Sequence, residues 1–379
     1  LEDVWSINKA IADLTAKLGR KVNAVTIGGG LLGLESAAGT EQLGATPIVI
    51  NGSPWLMNTQ LDEGAGQALG RLIEAKGFTV HGGVFPSEVL SDDDGQVTGV
   101  LMADGRIIDA DIVIVAIGVR PRDELFRAAD GPDGQKGVQQ FQLGQRGGVV
   151  ISDDCSTEVP GIWAIGEVAN FGGMCLGLVA PANTMAEIVA DRLHGGDATF
   201  PGFDTATKLK LSGVDVASFG DAFARTEHAL EIVYADPARG VYQKIVTTDD
   251  AKTLLGGIFV GDASPYTSLR PMLGRELAAE PGAYLTAAGG GDAGDGVLEI
   301  QLPDDAILCS CNNVSAGTIR DTVNGCGSCD GNAPVRELGE LKGCTRAGTS
   351  CGSCVPMLKK LLETELTKSG VEVSKALCE

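Results

Sequence analysis

The period of the apolar residues changes along the chain, and each change marks an element. Residues 7–19 carry apolar positions at helical spacing. VNAVTI (22–27) is a short β-branched run, GGGLLGLESAAGTEQLG (28–44) reads as a glycine-rich turn opening a helix, and TPIVI (46–50) is a second buried strand. Strand, helix and strand in that order predict a βαβ unit of a parallel sheet. A helix follows over 65–77 and a short strand in FTVHGG (78–83). VTGVLMADGRIIDADIVIVAIG (97–118) alternates as a hairpin closed at Ala103-Asp104-Gly105 and then becomes a buried strand. Residues 147–170 give a short strand, a loop and GIWAIGEVAN. A helix spans about 182–194, and 205–275 are mostly β. Composition shifts over 276–305, where AAGGGDAGDG (287–296) is acidic and flexible, the best linker in the chain. The remainder is cysteine-rich and ends in a helix, VPMLKKLLETELTK (355–368).

Charge and composition exclude several classes. The 379 residues carry a formal net charge of −21, which argues against nucleic-acid binding, since that depends on clustered Lys and Arg. No apolar run reaches the roughly 20 residues that span a bilayer, and the first residues lack the basic start and apolar core of a signal peptide. A cytoplasmic protein is expected. Eight of the ten cysteines lie after residue 308, which in such a compartment favours metal binding over disulfides.

Two motifs carry chemistry. Gly28-x-Gly30-x-x-Gly33 directly follows a strand and opens a helix. The first glycine permits a tight turn, the second lets backbone approach a pyrophosphate, and the third lets helix and strand pack closely. The helix N-terminus then offers unpaired N–H groups to phosphates. At the end of the second strand a carboxylate would select NADH, but Asn51 stands there with no Arg beside it, so NADH and NADPH both stay open. The second motif is Cys309-x-Cys311, separated by 39 residues from Cys351-x-x-Cys354. On spacing alone, Zn²⁺ and an iron–sulfur cluster suit four thiolates equally, and Cys326-x-x-Cys329 offers a rival second pair. Cys155 and Cys175 read as small buried residues and Cys344 as a non-ligand neighbour. His81, His194 and His228 are isolated.

GGGLLGLESA, IVAIGVRPRDEL, TEVPGIWAIGEVA, TKLKLSGVDVASFGD and ILCSCNNVSAGTI occur in an order that resembles part of the large subunit of NAD(P)H-dependent assimilatory nitrite reductases, across almost the whole chain. The resemblance implies an α/β fold: a Rossmann-like NAD(P)H domain (1–120), part of an FAD domain (121–204), a mostly β reductase segment (205–275), a linker (276–305), a small α-helical [2Fe–2S] domain of the bacterioferritin-associated ferredoxin type (306–370) and the start of a further segment (371–379). It assigns Gly28, Gly30, Gly33 and Glu35, an acid on the helix's first turn, to NAD(P)H, and Gly118 to a strand end near the cofactors. Gly166 and Glu167 fall to the ribityl chain of FAD, although Glu167 stands where wider relatives carry Asp. By resemblance the helix after Leu178-Val179-Ala180-Pro181 points at the flavin, and Cys309, Cys311, Cys351 and Cys354 hold the cluster, while Cys326 and Cys329 look like an insertion.

Relative to that family, the chain begins after the unit that binds the FAD adenosine. It stops at Leu377-Cys378-Glu379, before the domains that hold [4Fe–4S] and siroheme. The expectation is an electron-transfer segment that does not reduce nitrite alone. Its partners would be NAD(P)H and a siroheme-containing nitrite reductase domain or small subunit; a homodimer is compatible. No side-chain acid or base is assigned, because hydride transfer to a flavin needs none. The rivals are the electron-transfer subunit of an assimilatory nitrate reductase and a non-catalytic, Zn-stabilised binding module.

Overall fold

In the computed structural model, residues 2–127, 141–175, 177–203, 206–211, 213–286, 302–325, 334–350, 352 and 354–369 are described. They fall into two compact units: Leu1–Ile117 with Thr205–Ala306, and Gly118–Asp204 with Ile307–Glu379.

The chain opens with α1 (Glu2–Leu18), whose Ile7, Ile11 and Leu14 form one stripe against Val22, Ala24 and Ala45. Then follow β1 (Asn23–Ile27), α2 (Leu31–Gln42), β2 (Thr46–Asn51), α3 (Glu63–Glu74) and β3 (Thr79–Gly82). The antiparallel β4 (Pro86–Ser91), β5 (Val97–Met102) and β6 (Ile107–Asp109) precede β7 (Ile112–Val115). The main sheet is parallel in the order β3-β2-β1-β7. Its centre is covered on both sides, so β1 and β2 read as apolar runs without polar alternation. Val25, Ile27, Ile48 and Ile50 meet Val100 and Met102, while Val49 packs with Leu34, Ala37 and Leu69. The predicted hairpin forms: Met102 N–H donates to the Arg106 carbonyl at 2.8 Å, and Gly105 takes φ +89°.

In the second unit, α4 (Glu124–Arg127), the parallel pair β8 (Val149–Val150) and β9 (Ala169–Asn170), and α5 (Val179–Leu193) surround Phe141, Val149, Ile151, Ala169, Met185, Ile188 and Phe200. Buried Asp123 ties this region together, accepting from Arg127 Nε at 2.7 Å and from Gly148 N–H at 2.7 Å.

Returning to the first unit, β10 (Thr207–Leu211), β11 (Val214–Gly220), β12 (Leu230–Asp236), β13 (Val241–Thr247) and β14 (Leu254–Val260) form an antiparallel sheet in the order β10-β11-β14-β13-β12. Leu209, Leu211, Val214, Val216, Ile258 and Val260 share one core with Leu34 of α2 and Leu69 and Ile73 of α3. Short helices α6 (Tyr266–Leu269) and α7 (Pro281–Thr286) follow. The stretch read as linker therefore contains a helix at its start, and 287–301 lie outside the described residues. The second unit resumes with β15 (Ile307–Cys309), β16 (Val314–Ser315), α8 (Ala316–Val323), α9 (Leu338–Thr345) and α10 (Val355–Lys368). The three helices pack on one another, and α10 buries Leu358, Leu361, Leu362 and Leu366. Among the described residues no helix is long and apolar enough to cross a membrane.

Candidate cofactor sites

The turn between β1 and α2 sits at the carboxyl end of the parallel sheet, and its glycines are distinguishable by what surrounds them. Gly28 adopts φ +122° and donates its N–H to the Ile50 carbonyl at 2.8 Å. A Cβ there would strike the Ala116 carbonyl oxygen, and one on Gly33 would strike the Gly28 carbonyl oxygen. These two glycines are required by backbone packed on backbone. Gly30 differs: it is the N-cap of α2 and a Cβ on it would meet nothing within 4 Å. The open space lies where the helix N-terminus leaves N–H groups without a side-chain cap. Glu35 is the fifth residue of α2, in its second turn rather than its first, and its carboxylate has no hydrogen-bond or ion-pair partner among the described residues.

Asn51 is 8% exposed, and its amide turns inward. Its Nδ2 donates to the carbonyls of Ser53 (2.9 Å) and Trp55 (2.8 Å), and its Oδ1 accepts from Gly29 N–H at 3.3 Å. Both N–H donors are used in holding the 52–57 loop against the glycine turn. Gly29, which sequence reasoning passed over, is needed for this: a Cβ on it would lie 2.7 Å from the Asn51 side chain. The three-glycine run was the available signal.

In the second unit, Gly118 has φ +101° and open space around it. Gly166, with φ +75°, begins a 3₁₀ turn that continues through Glu167 to Val168. Gly166 N–H faces Met185 Sδ of α5 at 3.4 Å, and a Cβ on Gly177 would lie 3.4 Å from Glu167 Oε2. The exposed Glu167 carboxylate is thus placed beside the start of α5. That helix begins at Val179, earlier than the pattern predicted. Pro181 is its third residue, where a missing N–H removes no helical bond. Its N-cap, Leu178, supplies no side-chain bond. Cys155 is fully buried with φ +63°, and burial pushes its thiol up to about 11, in keeping with a packing role. Cys175 is only half-buried.

Of the cysteines assigned to the cluster, Cys309 ends β15 and is buried, Cys311 lies half-buried in the turn Ser310–Asn312, and buried Cys354 is the N-cap of α10. Cys351, Cys326 and Cys329 lie outside the described residues. Cys344 is disulfide-bonded. Among the described residues no three His, Cys, Asp or Glu side chains stand close enough to hold a metal ion. The two cysteine loops nevertheless meet through a residue that sequence reasoning missed. Asn312 Nδ2 donates to the Arg346 carbonyl at 2.7 Å and reaches Thr349 Oγ1 and Ser350 Oγ, each at 3.4 Å, on the approach to Cys351. The second loop is cut to fit: Gly348 (φ +74°) would, with a Cβ, press on Val355 at 2.9 Å and lie 3.8 Å from Cys354 Sγ, and Gly352 takes φ +71°. The donor chemistry of Cys309, Cys311 and Cys354, thiols on two loops that Asn312 bridges, suits a sulfur-ligated cluster, although the described thiols are not gathered into a metal-binding set. Helices α2, α5 and α10 all begin without a side-chain cap, as α9 does, whereas Asp62 caps α3 and Ser315 caps α8.

Three family models match in succession: pyridine nucleotide-disulphide oxidoreductase over residues 4–188, the rubredoxin NAD+ reductase C-terminal domain over 206–276 and the BFD-like [2Fe-2S] binding domain over 307–364. The chain is 37% identical to the NADH nitrite reductase large subunit of Escherichia coli (strain K12) over 95% of its own length and 41% of the relative's. It is 30% identical to an assimilatory nitrate reductase electron transfer subunit of Bacillus subtilis (strain 168), over 94% of its own length and 43% of the relative's. A ferredoxin reductase from Rhodopseudomonas palustris shares the fold, with a TM-score of 0.57 at 23% identity over 70% of this chain and 63% of that one. The chain thus spans about two fifths of the length of these curated relatives. With an oxidoreductase region, its C-terminal domain and an iron–sulfur domain following one another in this order, the chain belongs to the pyridine nucleotide-disulphide oxidoreductases that carry a BFD-like [2Fe–2S] domain, in the arrangement of the nitrite reductase large subunits.

Proposed function

We propose that this chain is the electron-entry segment of an NAD(P)H-dependent nitrite reductase. NAD(P)H would supply a hydride, FAD would divide it into single electrons, and a [2Fe–2S] cluster would accept them one at a time. The onward acceptor would be a siroheme centre on a domain or small subunit beyond this chain, and the setting would be the cytoplasm.

The residues divide this work. The uncapped start of α2, with open space at Gly30, binds the dinucleotide pyrophosphate, while Gly28 and Gly33 hold the turn in shape. Glu35, with no hydrogen-bond or ion-pair partner among the described residues, is left to orient the nicotinamide end of the cofactor. Gly166 and Glu167 hold the flavin's sugar chain, with Gly118 close by. The uncapped N-terminus of α5 would offer its positive dipole end to the negative charge that a bound flavin carries when reduced. Cys309, Cys311, Cys351 and Cys354 ligate the cluster. Asn51 supports the nucleotide loop from behind, and neither it nor Ser53 would repel a 2′-phosphate, so the choice between NADH and NADPH stays open.

One observation carries the relay. The turn that bears Cys311 comes within 8 Å, Cα to Cα, of α5, the helix assigned to the flavin, inside one compact unit. Flavin and cluster sites on adjoining elements suit direct electron transfer.

The test is a visible spectrum of anaerobically purified protein before and after NADH, with iron, sulfide and zinc assayed on the same sample. The expected result is a brown protein with about two irons and two sulfides per chain that bleaches on NADH addition. A colourless protein that holds zinc and resists cluster reconstitution would overturn the reading in favour of a Zn-stabilised module. Replacing Cys309 or Cys354 by Ser should remove the cluster's share of the visible absorbance together with its iron and sulfide, leaving any flavin bands, whereas Cys326→Ser and Cys329→Ser should leave the cluster in place.

A further inference from the structure

Asn312 directly follows the Cys-x-Cys pair, and its side chain is the point where both cysteine loops are joined. The next residue, Asn313, takes a left-handed conformation at φ +48°, so the chain reverses there and leaves the Asn312 amide facing back across the turn. Its Nδ2 lies 2.7 Å from the carbonyl of Arg346, itself left-handed at φ +60° as the C-cap of α9. It also lies 3.7 Å from Cys309 Sγ and 3.4 Å from each of Thr349 Oγ1 and Ser350 Oγ. An amide nitrogen carries two hydrogens. The short contact to Arg346 takes one, and the other is shared among the Cys309 sulfur and the two hydroxyls.

The geometry points to Asn312 as a positioning residue that sets the reduction potential of the iron–sulfur site through Cys309, while bracing the loop that leads to Cys351. This rests on the reading of Cys309 as a cluster ligand. Reduction adds one electron, and the added negative charge is spread partly over the ligand sulfurs. An N–H aimed at a sulfur therefore stabilises the reduced form more than the oxidised one and raises the potential. The two hydroxyls compete with the sulfur for the same hydrogen.

The experiment is a mediated dithionite titration of the whole chain, followed by visible absorbance and by the EPR signal of the reduced cluster, with iron counted in every sample. In Asn312→Ala and Asn312→Asp the potential should fall, further in the aspartate variant because an anion replaces the donor. A fall within tenfold in the one-electron equilibrium is expected, which is at most ~59 mV. In the double variant Thr349→Ala/Ser350→Ala, the hydrogen released to Cys309 should raise the potential. Unchanged potentials in the Asn312 variants, with only iron content lowered, would reduce Asn312 to a brace and overturn the proposal. So would a fall in the double variant, which is informative even if the Asn312 variants lose their iron. Wild-type protein that takes up no iron and sulfide, or a Cys309→Ser variant that keeps its cluster, would overturn the underlying ligand reading, and iron analysis separates that failure from the first.

Discussion

The Nζ of Lys244, on β13, lies 2.6 Å from Oδ2 of Asp62, the N-cap of α3, with the Lys244 side chain only 3% exposed. Asp62 also accepts from Tyr242 Oη at 2.9 Å and caps Ala65 N–H at 3.0 Å, while Glu231 of β12 approaches Lys244 at 2.7 Å. The antiparallel sheet is thus pinned to α3 beside the parallel sheet by charge as well as by the core the two share. Burial, with the Asp62 charge next, pushes the Tyr242 phenol well above its ordinary range, so the hydroxyl stays a donor at any working pH. Lys244→Met leaves both carboxylates without their cation. The expected loss is about 2–3 kcal/mol, below the ~3–5 of fully buried pairs because the Glu231 side chain keeps 45% of its exposure. Thermal unfolding of variant and wild type checks it.

Asn51 invites a cofactor-switching experiment that should fail. An aspartate there would offer only acceptors to the Ser53 and Trp55 carbonyls that Asn51 now satisfies. Asn51→Asp should destabilise the protein by about 1–3 kcal/mol and raise KM for NADH and NADPH together, rather than shift preference toward NADH. Paired thermal melts and KM values for the two donors decide the point.

Gly33→Ala tests the helix–strand approach. Its Cβ would collide with the Gly28 carbonyl oxygen, which is backbone and cannot swing aside. Overpacking of this kind costs about 1–3 kcal/mol and displaces the turn proposed to bind the pyrophosphate. Gly30→Ala meets nothing within 4 Å in the protein itself. It should leave the melting temperature nearly unchanged while weakening dinucleotide affinity, measured by quenching of protein fluorescence on NADH binding.

Acid stability should depend on Asp123. The Arg127 guanidinium holds its carboxyl below the usual carboxylate range; burial opposes this, and the Gly148 N–H adds to it. A depressed folded-state value means that the contribution is fully present above the unfolded value of about 3.9 and fades as pH drops through the lower folded one. Asp123→Asn should therefore be less stable than wild type by a constant margin from neutral pH to about pH 5, with the gap closing below about pH 4. Denaturant titrations at pH 7, 5 and 3.5 would trace that convergence.

The local elements were written plainly in the chain. β1, α2 and β2 followed from a β-branched run, a glycine turn and a second apolar run, because a parallel strand covered on both faces has no reason to alternate. The Ala103–Gly105 hairpin followed from a glycine able to take positive φ. Helix starts were less legible: α3 begins at Glu63 and α5 at Val179, since Asp62 as a cap and Pro181 inside the first turn are both compatible with an earlier start than apolar spacing indicates.

By itself the sequence determined the strand–helix–strand unit, the tight glycine turn at Gly28 and the spacing of the cysteines, because each depends on local backbone geometry or side-chain chemistry, whereas the need for glycine at position 29 came only from the structure. What only the tertiary structure decided was where side chains separated along the chain point. Asn51 turns its amide inward to Ser53 and Trp55. Lys244 finds Asp62 across 181 intervening positions, and Asn312 reaches the Arg346 loop from the other cysteine pair. Such pairings arise from packing of non-local elements, whose relative placement is fixed by the shared core rather than by any short-range pattern.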